Sequence, residues 1–166
     1  MDEATAKLMA EKDVWLSTQP FLDDEDAIPF PPGSEQAAKQ QEIFAGTDSV
    51  YALAKSHGIR TAFGTDTLFS KSLADRQGAQ LAKLVRWYTP GEALAMATSV
   101  NGELLQLTGP RNPYPGTLGV VGEGALADLL LVEGNPLEDI DLIADPDRNF
   151  RVIMKDGRIY KDSLDD

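Results

Sequence analysis

The strongest constraint on this chain is a short apolar run that stops at an aspartate. Residues 59–67 read IRTAFGTDT. Ile59, Thr61 and Phe63 alternate, which predicts a strand with one buried face. Gly64 lets the backbone bend, and Asp66 follows between two threonines. Parallel α/β proteins keep their reactive groups at the C-terminal ends of strands. Asp66 is therefore a candidate metal ligand or general base. A plainer role is open to the same residues, because Asp and Thr favour caps and turns.

Few side chains can join Asp66. The 166 residues include one histidine and no cysteine. A hydrolytic metal site usually needs several His or carboxylate ligands. Asp66 thus reads as one corner of a site whose other corners are missing. The histidine, His57, precedes Gly58 at the predicted end of a helix. There it meets the last carbonyls or water. The absence of cysteine excludes disulfides and thiolate metal sites.

The pattern before Asp66 is that of a parallel α/β sheet. Residues 2–12 suit a helix capped by Asp2. Val14, Trp15 and Leu16 predict a short buried strand. Residues 20–32 then carry four acids and four prolines, which forbid regular structure. Their acids, Asp23, Asp24, Glu25 and Asp26, lack the spacing of a calcium loop and predict a solvated surface. From Glu35 the pattern is helical, with Ile43, Phe44, Thr47, Val50, Tyr51 and Ala54 on one face. Gly58 is placed to end that helix. Helix, strand, loop, helix, strand is the grammar of parallel α/β proteins.

After Asp66 the grammar changes. A helix is predicted over residues 75–87 through Leu81, Leu84 and Val85. Thr89-Pro90-Gly91-Glu92 is a capping box, so another helix starts there. A further apolar stripe, Val100, Leu104, Leu105 and Leu107, ends at Gly109. Beyond Pro110 the chain reads as short strands and turns, and Asp156-Gly157 between two apolar runs predicts a hairpin. Trp15, Trp87 and Tyr88 are sparse aromatics in apolar runs and read as core. Asp139, late in the GNPLEDI turn at 134–140, is placed to cap the next segment.

Net charge is −12, with 42% hydrophobic and 25% charged residues. Such a composition predicts a soluble globular chain. An acidic surface repels phosphate, so neither nucleic acid nor an anionic membrane is an expected partner. No apolar run approaches the roughly 18 residues of a spanning helix. The compartment stays open between cytoplasm and periplasm.

Several strings, in this order and spacing, resemble the C-terminal part of a metal-dependent amidohydrolase. GTDT resembles that superfamily's strand-eight segment, and PGEALAMATSVNGELLQL the helices that follow the barrel. LGVVGEGALADLLLVEGNPLEDI resembles the return into the small β-domain, and VIMKDGRIYKD its last hairpin. DEATAKLMAEKDVWLSTQP resembles helix six and strand seven of the imidazolonepropionase-like branch, which includes Xaa-Pro dipeptidases. The resemblance implies an α/β fold: the end of a (β/α)₈ barrel over residues 1–109, then part of a small β-sandwich domain over 110–166. It implies hydrolysis of a small amide or dipeptide by water activated on a divalent metal, usually zinc. In that mechanism Asp66 is both the metal-site carboxylate and the catalytic proton shuttle. The family's His-x-His, bridging strand-four residue and later histidines have no counterpart here. The chain alone is thus expected to be inactive, to hold no metal tightly, and to self-associate through open strand edges. Two alternatives stand beside this reading: a non-catalytic assembly or binding module keeping a remnant of the fold, and a small enzyme pairing Asp66 with His57.

Overall fold

The structure, a computed structural model, describes residues 1–67 and 70–164. Helix α1 (Glu3–Glu11) starts where Asp2 accepts a hydrogen bond from the Thr5 amide at 2.8 Å. Strand β1 (Leu16–Thr18) follows, later in the chain than the Val14–Leu16 run predicts. The reason is local. Asp13 takes a positive φ of 52°, and the Val14 amide donates to the Met9 carbonyl, so both residues are used in closing helix α1.

Helix α2 (Glu35–Ser56) is capped by Ser34 and ended by Gly58, whose φ of 64° is the left-handed turn a glycine adopts freely. It buries Thr47, Tyr51 and Ala54 but leaves Ile43 half exposed. Strand β2 (Thr61–Phe63) then pairs in parallel with β1, Leu16 opposite Thr61 and Thr18 opposite Phe63. The parallel βαβ grammar is therefore present, with the 20–33 loop and α2 as the crossover.

The helix predicted over 75–87 starts at Gln77 in the structure, and a separate short helix precedes it. Helix α3 (Lys71–Ala74) is a single turn, and α4 (Gln77–Ala82) tightens into a 3₁₀ turn at Lys83–Arg86. Tightening of this kind is common at a helix C-terminus. Helix α5 (Pro90–Ala95) begins with the capping box: the Glu92 carboxylate accepts from the Thr89 amide at 2.7 Å. It runs without a break through a π turn at Met96–Val100 into α6 (Asn101–Gln106). The two predicted stripes thus lie on one helical path.

The C-terminal residues form an antiparallel sheet in the order β3 (Leu129–Val132), β4 (Phe150–Lys155), β5 (Arg158–Asp162). Asp156 and Gly157, at φ 49° and 73°, make the turn between the last two. Between β3 and β4, Asp139 caps a 3₁₀ turn at Ile140–Ile143, and helix α7 (Pro146–Asn149) follows. The main core joins Tyr51, Leu84, Tyr88 and Met96 to Ile140 and Ile143, so segments on both sides of residue 110 share it. Gly78 makes the contact possible, because a Cβ there would lie 1.8 Å from the Ile143 carbonyl oxygen.

The chain exposes 10645 Å². A compact monomer of its 18.0 kDa is expected to expose about 8000 Å². The exposed surface includes large apolar side chains, among them Leu130, Leu131 and Tyr160 on the three-stranded sheet. No helix among the described residues is long and apolar enough to cross a membrane.

Candidate active site at the end of strand β2

Asp66 lies three residues beyond Phe63, the end of β2, and it is exposed. Its φ is 52°, a left-handed conformation that costs a non-glycine residue some strain, though Asp tolerates it better than most. The threonines on either side hold it there. The Thr65 hydroxyl donates to Gln77 Oε1 at 2.7 Å, and Gln77 Nε2 donates to the Thr67 hydroxyl at 2.9 Å. Gln77 opens α4, so the start of that helix fixes the loop carrying Asp66. Among the described residues the Asp66 carboxylate has no hydrogen-bond or ion-pair partner. Nor does it cap the next helix, since Ser70 does that. The capping role open to Asp66 in the sequence is thus filled by another residue.

A second polar clip fixes β2 itself. Asn101, at the start of α6, accepts from the Phe63 amide at 3.0 Å and donates to the Phe63 carbonyl at 2.9 Å. It satisfies both backbone groups of the last strand residue, as a neighbouring strand would. On the other side, the Tyr51 hydroxyl donates to the Thr18 carbonyl at 3.4 Å, where β1 ends.

Beyond these strand ends lies a cavity of about 210 Å³. Asp66, Thr65 and Thr67 form part of its wall, and the loop after β1 forms its roof. That loop is not the solvated acidic surface its composition predicts. The Asp26 side chain is only 5% exposed, bonded to Arg76 Nε at 2.6 Å and to Lys83 Nζ at 2.7 Å. Asp24 meets the same Lys83 at 2.8 Å, and Glu25 meets Arg76. Burial pushes the Asp26 carboxyl up, but the hydrogen bonds and charges of Arg76 and Lys83 outweigh it and hold it below the ordinary value. From the other side, Gln40 of α2 donates to the Ile28 carbonyl at 2.9 Å.

His57 lies at the other end of the strand, ahead of β2. It contacts Glu3 of α1 at 2.7 Å and so ties two helices together, away from Asp66. Trp87 stacks on Tyr51 at 4.2 Å between ring centres, and the buried Tyr88 meets Tyr51 edge-on, so both serve the core. Trp15 lies under the Arg60 guanidinium.

These donors do not make a metal centre. Among the described residues no three His, Cys, Asp or Glu side chains come together to hold an ion. The carboxylates that share the cavity with Asp66, Asp24 and Asp26, are already bound to Lys83 and Arg76. What remains is one uncommitted carboxylate at the lip of a largely apolar cavity, which suits proton transfer.

Known proteins share this fold. No family model matches the chain. Ochratoxinase of Aspergillus niger is 34% identical over 127 residues, 76% of this chain and 25% of that protein. Its crystal structure superposes on 98% of the chain with a TM-score of 0.74. A crystal structure of an amidohydrolase matches with a TM-score of 0.81 at 28% identity, over 99% of this chain and 38% of that one. A prolidase complexed with N-methylphosphonate-L-proline matches equally, at 0.81 and 29%, over 98% and 38%. The chain is similar to a portion of these amidohydrolase and prolidase structures. It spans about a quarter of the curated relative and under two fifths of the structural ones.

Proposed function

We propose that this chain is the C-terminal part of a hydrolase that cleaves carbon–nitrogen bonds in small amides or dipeptides. The observation that carries the proposal is Asp66: exposed, unpaired among the described residues, and held at the end of β2 on the wall of a cavity. In this reading Asp66 accepts a proton from the attacking water. The resulting hydroxide adds to the carbonyl carbon. Asp66 then returns the proton to the nitrogen as the C–N bond breaks, leaving an acid and an amine.

Residues 1–109 supply the barrel portion and 110–166 the small-domain portion, joined by the core around Ile140 and Ile143. Catalysis requires partners for Asp66 from outside these residues. A zinc ion, which the family resemblance implies, would draw its ligands from outside these residues, and the chain by itself would be inactive. The surplus of exposed surface supports association of the isolated chain with itself.

A hybrid enzyme tests the proposal. The matching C-terminal stretch of A. niger ochratoxinase is replaced by this chain, and hydrolysis of that enzyme's own substrate is assayed. Turnover by the hybrid is expected. A folded hybrid with no turnover would contradict the proposal.

A further inference from the structure

Gln77 closes a ring of hydrogen bonds across the loop that carries Asp66. The direction of each bond follows from the groups. Gln77 Oε1 has no proton, so the Thr65 hydroxyl donates to it, at 2.7 Å. Gln77 Nε2 offers only protons, so the Thr67 hydroxyl accepts from it, at 2.9 Å. Thr67 keeps its own hydroxyl proton, and Thr65 keeps a free lone pair. Their oxygens lie 3.3 Å apart, and donation from Thr67 to Thr65 completes the ring. Each of the three side chains then donates once and accepts once within it.

The ring has two effects on the residue between the threonines. It grips the loop on both sides of Asp66 and so holds a φ of 52°, which an unrestrained aspartate seldom occupies. It also occupies both hydroxyl protons. A free threonine hydroxyl beside a carboxylate competes for it, as these residues do in turns. With the protons directed into the ring, the Asp66 carboxylate stays uncommitted among the described residues. Gln77 is itself held in place by its neighbours in the chain. Arg76 is bonded to Asp26 at 2.6 Å, and Gly78 packs so closely that a Cβ would lie 1.8 Å from the Ile143 carbonyl oxygen. The start of α4 cannot shift without breaking one of these contacts. Gln77 is exposed, so its hydrogen bonds add little to the stability of the fold. Their effect is on geometry, and misplacing a reacting group by about 1 Å costs on the order of 10²-fold in rate.

Resting on the amidohydrolase reading, we propose that Gln77 is a positioning residue for Asp66. It acts through Thr65 and Thr67 and does not itself line the cavity. It sets the backbone of Asp66 and keeps the neighbouring hydroxyls off the carboxylate that moves the proton.

Two measurements test this, the first without turnover. In the 166-residue chain, NMR should show a strong cross-peak between the Asp66 amide proton and its own Hα, because a left-handed φ brings the two close. Gln77→Ala should weaken that cross-peak at least twofold. Gln77→Glu should keep it, since a carboxylate accepts from both hydroxyls. The second measurement is kinetic, in the ochratoxinase hybrid. Gln77→Ala should lower kcat at least tenfold and leave KM within threefold, with the urea midpoint little changed; a residue that merely stabilised the fold would move the midpoint and spare kcat. Thr67→Val should lower kcat likewise. The double variant should lose no more than threefold beyond the worse single one, as expected when one side chain acts through the other. An undiminished cross-peak in Gln77→Ala, a Gln77→Ala kcat within threefold of the unsubstituted hybrid, or losses that multiply in full in the double variant would each overturn the positioning role. A hybrid that is inactive before any substitution would instead overturn the reaction, and the cross-peak comparison would still decide whether Gln77 holds Asp66.

Discussion

Asp66 combines two properties that separate under substitution. Its backbone sits at φ 52°, and its carboxylate is uncommitted among the described residues. Asparagine tolerates the left-handed region about as well as aspartate, whereas a β-branched residue does not. Asp66→Asn should therefore leave thermal stability almost unchanged. Asp66→Val should cost about 1–3 kcal/mol. Paired urea melts check this, and equal losses in the two variants would show that the strain is unimportant. The position of Asp66 was legible in the sequence, because alternation followed by Gly-Thr-Asp is a local pattern. Gln77 and Asn101, which fix its loop and its strand, were not. Each acts across a long stretch of chain, Asn101 on a residue 38 positions away, and no local periodicity marks such a polar side chain.

At the scale of elements, the loop after β1 shows the same limit. Its acids and prolines correctly excluded helix and strand, but composition could not reveal that Asp26 turns inward to Arg76 and Lys83. The structure attaches a pH dependence to that contact. The folded Asp26 carboxyl lies below its ordinary value of 3.8, so its ionised form stabilises the fold. That contribution is complete above the unfolded value and is lost as pH falls through the folded one. Asp26→Asn should cost about 1–2 kcal/mol at neutral pH, part of the hydrogen bonding being retained through Asp24 and Glu25. The gap between wild type and variant should close as melts are taken below about pH 4. A gap independent of pH would contradict the assignment. Capping signals fared better than the loop: Asp2, Gly58 and the Thr89–Glu92 box all act within one turn of their own helix. The division at Lys83 and the continuity through Met96 escaped the pattern, since both depend on packing against other elements.

The whole molecule is more open than its mass allows for a compact monomer. Strands β1 and β2 pair only with each other among the described residues, and apolar side chains line the three-stranded sheet. The isolated chain should form dimers or larger species at micromolar concentration, through the region of residues 1–67. Light scattering checks this, and a clean monomer would count against it. With a single uncommitted carboxylate, the chain should also keep well under one equivalent of zinc after dialysis. Stoichiometric zinc lost in Asp66→Asn would show that the chain holds a metal site of its own. The decisive test of Asp66 as the proton-transfer group of an amidohydrolase site is kcat of the ochratoxinase hybrid carrying Asp66→Asn, with His57→Ala as control. Asp66→Asn should lose at least the roughly 10²–10⁴-fold typical of general acid–base groups, and His57→Ala should stay within a few-fold of the unsubstituted hybrid. A folded Asp66→Asn hybrid that turns over at the unsubstituted rate would contradict that role.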